Sequence, residues 1–207
     1  AIPREAEAVV LVEDTKENRF VELVKEIEEI LKNENNTKEK TLYVISEKMG
    51  NENKSILTEE STKRVTDFLM ALPNGIMAMS VDIAGLVETS LNIGILKLEE
   101  KEMIASSAIR SSIESAKKYL MEQMEVVTSL VGGSISVHGE YPGWQYDPDS
   151  KLRATMVQVY EEMFGEKPKV EAIHAGLECG IMISKIPGLD CVSFGPNMYD
   201  IHTTEER

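Results

Sequence analysis

The sequence predicts an α+β protein: a duplicated split-βαβ arrangement over residues 1–140, then a partial α/β segment over residues 141–207. Three observations carry this. Between residues 87 and 138 the hydrophobic pattern runs strand, strand, helix, strand, the order of a small open sandwich. Residues 1–80 repeat similar parts with longer insertions, so two diverged β/α units, about 1–80 and 81–140, are expected without a fixed period. The turn Tyr141-Pro142-Gly143-Trp144 and the polar Asp147-Pro148-Asp149 then mark a boundary, after which helices and strands alternate.

In chain order, residues 7–12 form an apolar β run. A helix follows, with Phe20, Leu23, Val24, Ile27, Ile30 and Leu31 at helical spacing. The polar, Asn-rich residues 32–40 lead to a strand at 41–46. Thr58 then caps a helix whose apolar face is Val65, Phe68, Leu69 and Leu72, stopped by Pro73-Asn74-Gly75. The second unit has strands at 93–98 and 103–109 joined by the charged turn 99–102. Its helix, on Ile113, Ala116, Leu120, Met124 and Val127, ends at Gly132-Gly133 before a strand at 134–138. Beyond the boundary come a helix to Phe164, a strand at 169–174, a helix at 177–186 and a strand at 190–194. These imply a mostly parallel or mixed sheet, with active-site loops at strand ends.

The 42% hydrophobic content supports a soluble core, and 36 acidic against 22 basic residues give a net charge of −14 that disfavours nucleic acid and anionic membranes. Neither a membrane-spanning run nor a secretory signal is visible. Cys179 and Cys191 lack the spacing of a zinc or redox pair and read as buried free thiols, which suits a cytoplasmic location. Ala1-Ile2-Pro3 opens the chain without a methionine, so a trimmed portion of a longer polypeptide is expected.

Three places carry candidate chemistry. His202 follows the strand 191–194 through a Gly-Pro turn and precedes Glu205 and Glu206. A neutral imidazole beside carboxylates is a good metal ligand, because a carboxylate fixes its tautomer; taken alone, a surface histidine in an acidic tail is the plainer reading. No HxH, HExxH or cysteine cluster accompanies it, so other ligands must come from outside the chain. The loop His174-Ala175-Gly176-Leu177-Glu178-Cys179-Gly180 joins a strand to a helix, where Gly176 permits close backbone approach and the amides at Leu177 face an anion. An ordinary turn with Glu178 on the helix dipole is the alternative. Arg110 ends a strand and can grip a carboxylate through two nitrogens, or form a surface salt bridge. His138 is read as structural, and Tyr141 and Trp144 as packing at the junction.

Together, AIPREA at 1–6, YPGW at 141–144, HAGLECG at 174–180 and SFGPNMYDIHTTEER at 193–207 resemble the aminoacyl-histidine dipeptidases, a dizinc peptidase branch related to carnosinases and peptidase T. VETSLNIGIL at 87–96 and IRSS at 109–112 share the resemblance. It implies a lid domain at 1–140 and the returning part of the catalytic domain at 141–207, a C-terminal fragment of the whole. It also implies zinc, with cobalt or manganese as alternatives, a dipeptide substrate and His202 as the last metal ligand. Arg110, Gly176, Leu177 and Glu178 fall where relatives contact substrate. The bridging aspartate and the glutamate general base fall before Ala1, so no catalytic residue is expected in this chain. A homodimer is left open, and a non-catalytic binding or dimerisation module is the rival reading.

Overall fold

The structure, a computed structural model, describes residues 3–50, 55–174, 178–200 and 204–207. They divide into two compact units, residues 4–63 and residues 64–207 with Pro3.

In the first unit a 3-10 turn at Asp14–Lys16 leads into α1, Glu17–Glu34. The periodicity predicted this helix, and its better-covered positions, Glu17, Phe20, Val24, Glu28 and Leu31, recur every three or four residues. Asn35 ends it, its backbone and side-chain nitrogens donating to the Leu31 carbonyl at 3.0 and 2.9 Å. Leu23, Ile27 and Ile30 stay exposed. Thr58 caps the next helix as predicted: its Oγ1 accepts from the Ser61 amide at 3.1 Å. That helix, α2, is Glu59–Ala71, and the division between the units falls within it.

The second unit opens on the end of α2, where Phe68 and Leu72 are buried. Gly75, at φ +100, starts β1 (Gly75–Met79), a strand that the sequence reading did not anticipate. β2 (Val87–Leu98) and β3 (Met103–Ser111) follow, and the sheet runs β1-β2-β3, antiparallel throughout. The predicted turn at 99–102 closes β2–β3, with the Glu99 amide donating to the Glu102 carbonyl at 2.8 Å. Along β3, half-buried and exposed residues alternate strictly, so the sheet has two distinct faces. Leu91, paired with Ile109, is buried on the inner face, and Thr89 and Ser111 bond through their hydroxyls at 2.8 Å beside it. The helix α3 (Glu114–Leu130) packs on β3 and buries Leu120.

α4 (Lys151–Phe164) begins at Ser150, whose hydroxyl accepts from the Arg153 amide at 3.0 Å, and ends at Gly165 in the left-handed conformation. Asp190 reinforces that start: Oδ1 accepts from Ser150 Oγ at 2.7 Å and Oδ2 from the Leu152 amide at 2.8 Å. α5 is Glu178–Lys185.

Several predicted strands are not strands here. Residues 7–12, 41–46, 134–138, 169–174 and 190–194 pair with nothing to form a ladder. The first unit thus lacks the paired strands of a duplicated βαβ unit among its described residues, and residues 141–207 form no parallel or mixed sheet there. The cause is physical: β-propensity and apolar alternation describe a segment that suits a sheet, but a strand exists only when a second backbone fills its hydrogen bonds. Val9, Val10, Leu11, Tyr43, Ile45, Val170, Ile173 and Phe194 are all exposed on these segments.

Candidate substrate-binding site

Arg110 lies at the end of β3 on the exposed face, opposite Ser90 of β2. Directly paired residues project from the same side of a sheet. Both side chains meet one residue from far along the chain: Arg110 Nη1 donates to the His174 carbonyl at 3.3 Å, and Ser90 Oγ shares a hydrogen bond with His174 Nε2 at 2.7 Å. Burial first, and then the Arg110 guanidinium, push the His174 imidazole below its ordinary pKa and favour the neutral ring.

Two glycines bring the far end of the same loop close. An added Cβ on Gly143 would sit 2.6 Å from the Ser112 carbonyl oxygen, and one on Gly180 would sit 2.9 Å from that of Pro142. Backbone therefore stacks on backbone from the end of β3, through the YPGW turn, to the first turn of α5. Lys117 of α3 adds a tie by donating to the Tyr141 carbonyl at 3.0 Å. Desolvation, followed by the nearby Glu178 carboxylate, raises the Tyr141 phenol. Cys179, next in the helix, is a free thiol raised by burial and then by Cys191. The cysteines are half-buried rather than fully buried.

Of the predicted site residues, Arg110 and Glu178 are therefore described, at the two ends of the 174–180 loop. Gly176, Leu177 and His202 lie outside the described residues. The shoulders of the His202 loop close on each other: Tyr199 and Arg207 exchange backbone hydrogen bonds at 2.8 and 3.2 Å, and Arg207 pairs with Asp200. Among the described residues no group of three or more His, Cys, Asp or Glu side chains is placed to hold a metal ion. They do not assemble a metal centre by themselves.

Sequence reasoning missed Ser90, the His174 ring and Asp190. Ser90 had a signal, since a hairpin closing at 99–102 brings a residue near 90 opposite Arg110. In sequence His174 marks only the start of its loop.

The arrangement can present a guanidinium, bonded through one of its nitrogens to the backbone of a loop, to an anionic group. No family model matches the chain. Comparison with known proteins nevertheless shows what the chain is similar to: it resembles dipeptidases over its whole length. The particular relatives are the cytosol non-specific dipeptidase of Escherichia coli (strain K12), 36% identical over all 207 residues, and the aminoacylhistidine dipeptidase of Vibrio alginolyticus. The crystal structure of the latter matches 93% of this chain with a TM-score of 0.86 and 35% identity. The chain spans 42% of the length of the first and 39% of the second. No helix among the described residues is long and apolar enough to cross a membrane.

Proposed function

We propose that the chain supplies the lid and a returning catalytic segment of a cytoplasmic, metal-dependent dipeptidase acting on Xaa-His and a broader set of dipeptides. The observation that carries this is the meeting of Arg110 with the 174–180 loop, 64 residues apart in sequence. A guanidinium beside a glycine-containing loop that opens a helix is suited to a peptide's terminal carboxylate. Homology to dipeptidases supports hydrolysis as the reaction. In this reading residues 1–140 are the lid and 141–207 belong to the catalytic domain. A diverged duplication of the lid, over residues 1–80 and 81–140, is part of this reading. Arg110, Gly176, Leu177 and Glu178 contact the substrate. His202 contributes one ligand to a zinc pair, or to cobalt or manganese, and the remaining ligands and the general base lie outside these residues.

The test is an assay on alanyl-histidine and cysteinylglycine with added zinc. The 207-residue chain is expected to be inactive alone. A polypeptide that adds an upstream segment bearing His-x-Asp and an adjacent Glu-Glu pair is expected to be active. Turnover by the short chain matching that of the long one contradicts the division of labour, and silence from both contradicts the reaction.

A second reading, a binding or dimerisation module, is favoured by one feature: among the described residues β1 and β3 are the edge strands of the sheet, each pairing with β2 alone. Sedimentation with and without dipeptide separates the two, because association indifferent to dipeptide supports the module.

A further inference from the structure

We infer that Ser90 and His174 are positioning residues that hold the Arg110 guanidinium in place for a substrate carboxylate. The inference rests on the proposed dipeptidase reading and extends it to two residues that touch no substrate in that reading.

Ser90 and Arg110 face each other across β2 and β3, and each holds a different part of His174. The serine takes the ring at 2.7 Å, while the arginine takes the main-chain carbonyl at 3.3 Å. The contacts close a triangle whose corners are two paired strands and one loop residue. Fixing the ring therefore fixes the carbonyl that receives Nη1. An arginine side chain carries about 2 kcal/mol of rotamer entropy. Tying one nitrogen before the ligand arrives lowers the ordering that binding requires. The guanidinium has five N–H donors, so most stay available for a carboxylate. The alternation along β3 places Arg110 on the opposite face from Ile109 and its partner Leu91, so the guanidinium is free of the core and needs an anchor of this kind.

Arg110 alone does not specify such an anchor. The bulge in β2 does: the pairing shifts between Ile93 and Ile95, and this shift puts Ser90, rather than Leu91, opposite the arginine. An apolar residue there would offer the His174 ring no hydrogen bond.

The experiment uses the catalytically complete, zinc-loaded polypeptide, assayed with alanyl-histidine and with the same dipeptide carrying a C-terminal amide. Ser90→Ala is expected to raise KM for the free dipeptide roughly 3- to 10-fold, the range for losing one neutral hydrogen bond, with kcat within about twofold. On the amide, which has no carboxylate to grip, kcat/KM is expected to equal the wild-type value. Ser90→Thr, which keeps a hydroxyl on a residue suited to strands, is expected to restore KM. His174→Gln, which keeps a side-chain group able to bond Ser90, is expected to lie between the two. An unchanged KM for Ser90→Ala in an active enzyme overturns the inference alone. An equal loss on dipeptide and amide also overturns it, because a merely structural role affects both. An inactive wild-type polypeptide overturns the dipeptidase reading and the inference with it.

Discussion

Single residues set most of what this site can do, and they differ in how visible they are in sequence. Arg110 stands out in sequence as a strand-end arginine before two serines, able to grip a carboxylate or to form a surface salt bridge. Ser90 was legible only as a residue near the arginine's cross-strand partner, and its bond to His174, 84 residues away, is announced by no local spacing. Asp190 was equally silent. It accepts from the Leu152 amide and from Ser150, and these bonds hold its carboxyl below the usual carboxylate range. A group depressed in the folded state stabilises the fold above its unfolded pKa, and the contribution fades as pH falls through the folded value. Asp190→Asn is therefore expected to lower the melting temperature near neutral pH. The difference from wild type should shrink below about pH 4, where the unfolded carboxylate also protonates. Melting curves across that range, followed by circular dichroism, check both parts.

At the scale of elements, the helices were read with nearly the right bounds, because an apolar face at helical spacing and a capping Thr58 are local facts. The β2–β3 hairpin was also legible, since its charged turn and alternation are local. Its register was not: the turn pairs Leu98 with Met103, which carried straight through would set Leu91 opposite Arg110, and the bulge at Gly94 moves every later pair by one residue. Strands that need a distant partner were over-read for the reason given by their exposed Val10, Ile45 and Phe194. The stacked glycines offer a sharp test of how α5 is held. Gly143→Ala puts a methyl 2.6 Å from the Ser112 carbonyl oxygen, a backbone atom that cannot swing away. A loss of about 1–3 kcal/mol in urea unfolding is expected, the usual range for overpacking. Gly195→Ala, whose added Cβ meets nothing within 4 Å, is the control and should be near neutral.

For the whole molecule, Phe68, Leu72, Leu91 and Leu120 are the buried apolar side chains among the described residues, while apolar side chains on the extended segments face outward. Marginal stability is the rule when so little apolar surface leaves water. The 207-residue chain is therefore expected to bind a hydrophobic dye such as anilinonaphthalene sulfonate, and the longer active polypeptide is expected to bind much less. Equal dye binding by the two would mean that the exposed segments find no partner there. The likeness to dipeptidases was legible in sequence because four motifs in one order span the chain, whereas a metal centre was not, since His202 by itself offers a single candidate ligand. If this chain grips the carboxylate of a dipeptide through Arg110, steady-state hydrolysis of alanyl-histidine by the complete zinc-loaded polypeptide with and without Arg110→Ala reads that grip directly. KM is expected to rise roughly 10- to 100-fold, the range for losing a charge-assisted hydrogen bond, while the dipeptide amide is hydrolysed as by wild type; a wild-type KM for alanyl-histidine in the variant would contradict the grip.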